Sequence, residues 1–388
     1  MPRNICHRNK NAPYMKALST PRNEAIANHS ALEWVRPAVR ELSAYHVPDP
    51  ANLMKLDAME NPYPWPDHLT DAWLEELRRT PINRYPDPSP ESLKALLRKT
   101  MGLPRESDIL LGNGSDELIQ LIAMTLQGPG DAGRRCVLVP EPTFVMYRSI
   151  TIALDLEFVG VPLRSGDFAL DGGAMLAAME KHRPAVVFLA YPNNPTGNLF
   201  DTDTLGAILD AAPGLVVIDE AYASFAQTSK MDWLREHPNL IVMRTLSKLG
   251  FAGLRLGFAV GHPAWMEQMN KLRLPYNINS LTQVSVTFAL ENLAVFEEQI
   301  ARIRRDRAAL FRELAAMDGV TAWPSHANFI LFRMKDKPAG EIHARLRARG
   351  VLIKNLHGAH PLLGNCLRVT VGKPEENRAF LEGLRMCL

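Results

Sequence analysis

The chain contains little cysteine, and its four residues are scattered along 388 positions as Cys6, Cys136, Cys366 and Cys387. Because no Cys-x-x-Cys pair occurs, neither a zinc site nor a disulfide framework is predicted, and a reducing compartment is favoured. The sequence also lacks a strong charge of one sign, since its formal net charge is +2. A large basic surface for nucleic acid is therefore not expected. No apolar run is long enough to span a membrane, so we expect a cytoplasmic protein without a membrane partner.

Two further features are absent. The first 30 residues contain no continuous apolar stretch, which argues against a secretory signal. We interpret residues 1–30 as a disordered extension, or as the product of a start codon placed too early, outside the fold. Compact histidine spacing is also lacking: His46, His357 and His360 are too scattered for ligands, and no metal site is predicted.

What the sequence does contain is a repeated alternation of short apolar runs with helical stretches. The runs span residues 108–112, 135–140, 156–163, 185–192, 215–221, 240–247 and 254–260. Several are apolar at consecutive positions, as expected for strands covered on both faces. Repeated strand–helix units of this kind predict a mainly parallel, three-layer α/β domain, which we place at residues 76–278.

The pattern changes after Pro275. A long helical region is predicted from about residue 281 to 317. The later short apolar runs lie at 320–324, 329–334, 351–355 and 366–371. Residues 279–388 therefore suggest a smaller α+β domain, and the Pro-rich segment 31–75 is expected to be an extended arm that joins it.

Polar motifs occur where several predicted strands end, which is where α/β sheets bind ligands. In GNGSDELIQL, Ser115 and Asp116 can cap a helix whose N–H groups would suit a phosphate, although an ordinary capped helix has the same sequence. Asn194, in AYPNNPTGN, lies either in a surface turn or where its amide could reach a cofactor.

Two strand ends carry ionisable groups. Asp219 ends the apolar run VVID, where a carboxylate is costly unless paired, so a cationic partner is expected. Ser247 ends the next run, Lys248 follows it, and Arg255 comes seven residues after the lysine. Lys248 is either a surface residue of a loop or, given its apolar neighbours, a buried amine with a lowered pKa.

In this order, the motifs Asn-Pro-Thr-Gly (194–197), Asp-Glu-Ala-Tyr (219–222), Ser-Lys (247–248) and Arg255 resemble those of fold-type I aminotransferases. The resemblance extends over nearly all of residues 31–388. Further segments resemble the histidinol-phosphate aminotransferases of the class II subgroup. These segments are LDAMENPY, NRYPDPSPESLKALL, LLGNGSDELI, SKLGFAGLRLGF and HPLLGNCLRVTVGKPEEN. The resemblance implies a pyridoxal 5′-phosphate (PLP) cofactor and the fold of type I PLP-dependent transferases.

The resemblance also implies roles at the cofactor. Lys248 would form the Schiff base and later move the substrate proton, and Asp219 would contact the ring nitrogen. Asn194 and Tyr222 would bond the phenolic oxygen. Phe144, where many relatives carry tyrosine, would stack on the ring. The cofactor phosphate would be held by Ser115, Asp116, Ser247, Arg255 and, from the neighbouring subunit, Tyr85. A homodimer with shared active sites is thus implied.

For the substrate, the resemblance points to Tyr45, Lys354 and Arg368. Arg368 would receive the carboxylate of glutamate or the phosphate of histidinol phosphate. Lys354 stands where some relatives have a second arginine. Taken without the resemblance, Arg368 could equally pair with a surface carboxylate, and Tyr45 could pack within the arm.

The function implied is reversible amino transfer between L-glutamate and imidazole acetol phosphate, which yields L-histidinol phosphate and 2-oxoglutarate for histidine biosynthesis. Three alternatives remain open from the sequence. They are an aromatic amino-acid aminotransferase, a threonine-phosphate decarboxylase on the same scaffold, and a PLP-binding regulator, for which no DNA-binding module is evident.

Overall fold

The computed structural model describes residues 33–44, 47–50, 52–126 and 135–388. The chain divides into two compact units, Met1–His46 and Val47–Leu388. In the first unit the described part holds one short helix, α1 (Pro37–Arg40), with no buried residue.

The strands of the second unit fall into three sheets. In chain order they are β1 (Met54–Lys55), β2 (Asp108–Asn113), β3 (Cys136–Glu141), β4 (Glu157–Pro162), β5 (Val186–Ala190), β6 (Leu215–Asp219), β7 (Leu240–Thr245), β8 (Leu256–Gly261), β9 (Val320–Ala322), β10 (Phe329–Met334), β11 (Val351–Leu352), β12 (Lys354–Asn355) and β13 (Cys366–Thr370). Seven of them form the central sheet in the order β2-β8-β7-β6-β5-β3-β4. Only β8 runs antiparallel to its neighbours, so the predicted mainly parallel sheet is confirmed.

The helices alternate with these strands. They are α2 (Asp67–Arg78), α3 (Glu91–Met101), α4 (Ser115–Thr125), α5 (Val145–Ala153), α6 (Gly172–His182), α7 (Thr202–Ala211), α8 (Ala223–Ala226), α9 (Pro263–Asn270), α10 (Ser280–Glu291), α11 (Leu293–Ala315), α12 (Ala339–Ala348) and α13 (Pro374–Cys387). Asp171 and Asp201 cap α6 and α7 by accepting from Ala174 N and Thr204 N. Such caps satisfy amides that would otherwise lack an intrahelical partner.

The central sheet is apolar on both faces, which explains its uninterrupted apolar runs. Along β5, Val186 and Phe188 belong to one hydrophobic cluster, and Val187 and Leu189 belong to another. Successive side chains of a strand point to opposite faces, so helices must cover both sides. Burying each such side chain stabilises the fold by roughly 1.5–3 kcal/mol.

The C-terminal region forms a four-stranded antiparallel sheet in the order β12-β13-β10-β9. The helical region predicted at 281–317 is two helices rather than one. Asn292 leaves the helical conformation at φ −110° and ψ 25°, and its side chain donates to Phe288 O. Asparagine competes in this way for backbone partners, so the helix breaks there.

The segment predicted as an extended arm includes the start of a helix. Helix α2 begins at Asp67, buries Leu69, and places Trp73 Nε1 2.8 Å from Ser285 Oγ. Before it, β1 pairs in parallel with β11 and so joins the C-terminal region. The division of this unit into a large and a small domain stays a prediction. Within the described parts of the chain, no helix combines the length and apolar character needed to cross a membrane.

Candidate active site

A cavity of about 390 Å³ lies at the edge of the central sheet where its parallel strands end. The residues predicted for the cofactor that line it are Ser115, Asp116, Phe144, Asn194, Asp219, Tyr222, Ser247, Lys248 and Arg255. They come together because the carboxyl ends of β2, β3, β5, β6 and β7 share one edge. Arg255 reaches the same edge because it precedes β8, the strand that runs the other way.

Asp219 ends β6 and is 4% exposed. Within the described chain its partners are neutral donors: the Tyr147 hydroxyl at 2.7 Å and the Ala221 amide at 3.1 Å. Among the described hydrogen-bond partners of Asp219, therefore, no side chain is the cation that the sequence led us to expect. Burial raises the Asp219 pKa to about 6, against the opposing effect of these two hydrogen bonds. A cationic group in the cavity would favour the ionised carboxylate.

Lys248 lies in the short 3-10 turn Ser247–Leu249 that follows β7. Burial, and next the nearby Arg368 guanidinium, lower its pKa to about 8, although the Glu60 carboxylate acts in the opposite sense. Its Nζ is 3.5 Å from Ala58 O and 5.9 Å from the centre of the Tyr222 ring. An amine with so low a pKa is a competent nucleophile and base near neutral pH.

One wall of the cavity is built for an anion. Helix α4 begins here, and its N-cap is Gly114 at φ 82° without a side-chain cap. Ser115 and Asp116 are thus the first helical residues rather than the caps expected from the sequence, and their N–H groups lie at the positive helix end. A Cβ on Gly114 would lie 2.6 Å from Arg255 Nη2, and one on Gly257 would lie 2.9 Å from Ser115 N. Glycine at both positions keeps this cradle open.

Arg368 reaches the cavity through Asn194. Its guanidinium donates to Asn194 Oδ1 through Nη1 and to Asp57 O through Nη2, the latter at 3.0 Å. Since the Asn194 oxygen accepts from Arg368, its amide nitrogen is the atom that can donate to a cofactor. Lys354 lies directly opposite Arg368 in the β12–β13 pair. Two cations therefore face each other beside the cavity.

Four predicted residues are not among those that line this cavity: Arg368, which contacts the lining residue Asn194, Lys354 opposite it, Tyr85 and Tyr45. Tyr85 is 81% exposed, and its ring stacks on Tyr276 with 4.5 Å between centroids. Tyr45 lies outside the described residues. Their proposed contacts with cofactor and substrate stay predictions.

The structure adds residues that sequence reasoning missed. Tyr147 is fully buried and donates to Asp219, and its ring meets Phe144 edge-to-face at 5.6 Å. Its position three residues after Phe144, about one helical turn further along the chain, was the available signal. Glu60 and Met59 line the cavity from the segment after β1, which no strand-end pattern could locate.

The chain is similar in sequence to known proteins. Residues 51–384 match the family described as aminotransferase class I and II. A histidinol-phosphate aminotransferase 2 of Nitrosococcus oceani is 54% identical over 353 residues, covering 91% of this chain and 97% of that protein. The histidinol-phosphate aminotransferase of Chromobacterium violaceum is 51% identical, with coverage of 90% and 97%.

Solved structures show the same fold. Histidinol-phosphate aminotransferase from Sinorhizobium meliloti, crystallised with PLP, superposes with a TM-score of 0.80 at 24% identity, covering 93% of this chain and all of that one. The L-threonine-O-3-phosphate decarboxylase of Porphyromonas gingivalis gives a TM-score of 0.72 at 25% identity, with coverage of 85% and 98%.

Proposed function

The chain belongs to the class I and II aminotransferases, a PLP-dependent enzyme family, and on that premise we propose that it is a histidinol-phosphate aminotransferase. It would transfer an amino group reversibly between L-glutamate and imidazole acetol phosphate. The observation that carries this proposal is the pair of cations, Arg368 and Lys354, facing one another beside the lysine-bearing cavity. Curated relatives that carry this name and are about half identical in sequence support the same reading.

The cavity fits PLP by its own chemistry. The glycine cradle at Gly114 and Gly257, the α4 N-terminus and Arg255 suit the cofactor phosphate. Asp219, buried and without a cationic side chain among its described hydrogen-bond partners, suits a protonated ring nitrogen. Lys248 lines the same cavity and would hold the cofactor covalently. When bound, PLP supplies an electron sink that makes the substrate α-proton removable.

The chain's own residues then position groups and move the proton. Once the substrate has displaced it from the cofactor, the Lys248 amine would act as the base that takes the substrate α-proton and then as the acid that gives it back. Asp219 keeps the ring nitrogen protonated, and the Tyr147 hydroxyl keeps Asp219 ionised. Arg368 fixes the substrate anion so that the α-hydrogen points to the lysine.

Substrate choice is the first test of this proposal. We expect kcat/KM for L-histidinol phosphate to exceed that for phenylalanine by at least about 100-fold, because a monoanionic carboxylate compensates the paired cations less than a dianionic phosphate does. A preference for phenylalanine would reject the assignment. Release of CO₂ from threonine phosphate would point instead to the decarboxylase reaction of the Porphyromonas relative.

The hydroxyl of Tyr147 offers a second test. Tyr147→Phe removes a hydrogen bond to a carboxylate, worth roughly 1.5–3 kcal/mol, so kcat should fall about 10- to 100-fold. Because this bond lowers the Asp219 pKa, its loss should also move the acid limb of the kcat–pH profile to higher pH. The profile should be recorded between about pH 5 and 9, which spans the pKa values of Asp219 and Lys248.

Tyr63→Phe is the matched control, because its hydroxyl also faces a carboxylate, Asp306, at 3.5 Å but does not line the cavity. Its kcat should stay within about twofold of wild type. An unchanged acid limb in Tyr147→Phe would remove Tyr147 from the account.

A homodimer is part of the proposal. The proposed contact surface is apolar and consists of the exposed residues Ile82, Tyr85, Leu274 and Tyr276. Tyr85 stacks on Tyr276, and Arg273 Nη2 donates to Pro88 O. These two contacts join the loop around residue 85 to the loop around residue 275. Exposed apolar surfaces of this kind mark protein contacts. A second copy here would bring Tyr85 to the neighbouring site, as the family resemblance implies.

The dimer should dissociate when this surface is charged. We expect Ile82→Asp with Leu274→Asp to halve the mass seen by light scattering and to lower kcat/KM at least about tenfold, because two buried charges oppose association. Met386→Asp, at another exposed apolar residue, is the control and should leave the mass unchanged. A wild-type monomer with full activity would contradict the proposal.

We also propose a cytoplasmic location. The thiols of Cys136, Cys366 and Cys387 are buried and unbridged, which suits a reducing compartment.

A further inference from the structure

A buried carboxylate lies behind the substrate end of the site. Asp57 is 6% exposed, and within the described chain its Oδ1 atom has no hydrogen-bond partner. A carboxylate buried in this way is costly unless positive charge lies close by. The positively charged side chains near Asp57 are therefore the groups on which its carboxylate is expected to act.

The chain around Asp57 is held between the segments that carry the two cations. Leu56 N donates to Leu352 O at 2.8 Å, and Leu56 O accepts from Thr370 N at 2.8 Å. Arg368 Nη2 donates to the Asp57 carbonyl at 3.0 Å. Asp57 thus sits at the junction of the segment leading to Lys354 with β13.

The positive groups around Asp57 influence one another. Residues directly opposite in an antiparallel pair have Cβ atoms about 4.5–5.5 Å apart on one face, so Lys354 and Arg368 repel. Burial, and next Arg368, lower the Lys354 pKa, while Asp57 raises it. The His343 Nε2 atom is 3.1 Å from Ile353 O. Burial lowers the His343 pKa, the positive charges of Arg347 and Lys354 lower it further, and the Asp57 carboxylate raises it. Asp57 is thus the acidic group that acts on both Lys354 and His343.

We propose that Asp57 is a specificity-determining residue that lets one pocket bind a dianionic phosphate and a monoanionic carboxylate in alternation. This inference rests on the proposed function, in which both anions visit Arg368 in every cycle. Two cations without a countercharge would hold the dianion far more tightly than the monoanion, because Coulomb energy scales with ligand charge. The Asp57 carboxylate weakens the binding of the dianion twice as strongly as that of the monoanion. Each product can then leave before the next substrate binds.

Neutralising Asp57 should change the two KM values unequally. If Asp57→Asn lowers the KM for glutamate about threefold, the KM for histidinol phosphate should fall by the square of that factor, about ninefold. The ratio of the two KM values would shift about threefold. Loss of a merely structural residue would raise both KM values together. Asp318→Asn, an exposed carboxylate before the opposite edge strand of the same sheet, is the control and should leave the ratio unchanged.

A charge-compensating series keeps the test decisive if Asp57→Asn alone folds poorly. Lys354→Met, at a half-buried edge position, should move the KM ratio in the opposite direction, and Lys354→Met with Asp57→Asn should return it towards wild type. An unchanged ratio in the double variant relative to Lys354→Met would overturn the inference. Failure of the proposed function is distinct, since the wild-type enzyme would then not turn over histidinol phosphate.

Discussion

Replacing Lys248 with alanine should lower kcat by at least about 10⁴-fold and leave no covalent attachment of PLP. Lys248 is the one lysine among the described residues that line the cavity, and its pKa of about 8 results first from burial and next from Arg368. The same amine would attach the cofactor and carry the proton, so both steps are lost at once. Single-turnover kinetics and borohydride reduction followed by peptide mass analysis would measure the two effects separately.

Two companion variants separate chemistry from charge. Lys248→Arg retains a cation but cannot form a Schiff base, so it should be as inactive as the alanine variant. Lys230→Met removes another buried lysine, which donates to Thr202 and packs on Trp233 outside the cavity, and it should keep kcat within about threefold. If Lys248→Ala retained more than about 1% of wild-type kcat, the lysine would not be the proton carrier.

Asp219→Asn should leave PLP attached to Lys248 while lowering kcat about 10³-fold. Asparagine preserves shape but removes the charge that keeps the ring nitrogen protonated, and loss of one electrostatic partner in an enclosed site costs about 10²–10³ in rate. The covalent link depends on a different residue, so absorbance should still report bound cofactor. Asp203→Asn, an exposed carboxylate at the start of α7, should have no effect.

The pKa of Asp219 adds a pH dependence to this prediction. In the absence of cofactor the carboxyl has a pKa of about 6, because burial outweighs its two hydrogen bonds. Below that pH it becomes neutral and can no longer pair with a cationic ring. PLP affinity of the apoenzyme should therefore fall as pH drops through 6, and Asp219→Asn should abolish this dependence. Equal dependence in both proteins would assign the titration to another group.

The sequence predicted the central sheet well because two-sided burial leaves a local trace. Strand β5 is apolar at every position and β6 at every position before its last residue, Asp219, and both strands appear where expected. The site followed from the same logic, since polar residues after parallel strands must share an edge. Asp219 and Lys248 could thus be placed in one cavity from sequence alone.

What escaped prediction depends on contacts between distant parts of the chain. The Tyr147–Asp219 bond joins residues 72 positions apart, and no local pattern encodes it. Glu60 reaches the cavity from a segment without regular structure. The role proposed for Asp57 depends on Lys354 and Arg368, which lie in strands more than 290 residues later in the chain. The break at Asn292 is a local competition that apolar periodicity does not register.

The most direct test of the central claim is an absorbance spectrum of the purified protein with PLP, taken before and after adding L-histidinol phosphate without any oxoacid. We expect the band of lysine-bound cofactor to convert to that of the aminated cofactor, and 2-oxoglutarate to reverse the change. No conversion with histidinol phosphate, together with conversion by phenylalanine, would keep the aminotransferase but contradict the substrate proposed here. Absence of any lysine-bound cofactor band would contradict the assignment of Lys248 itself.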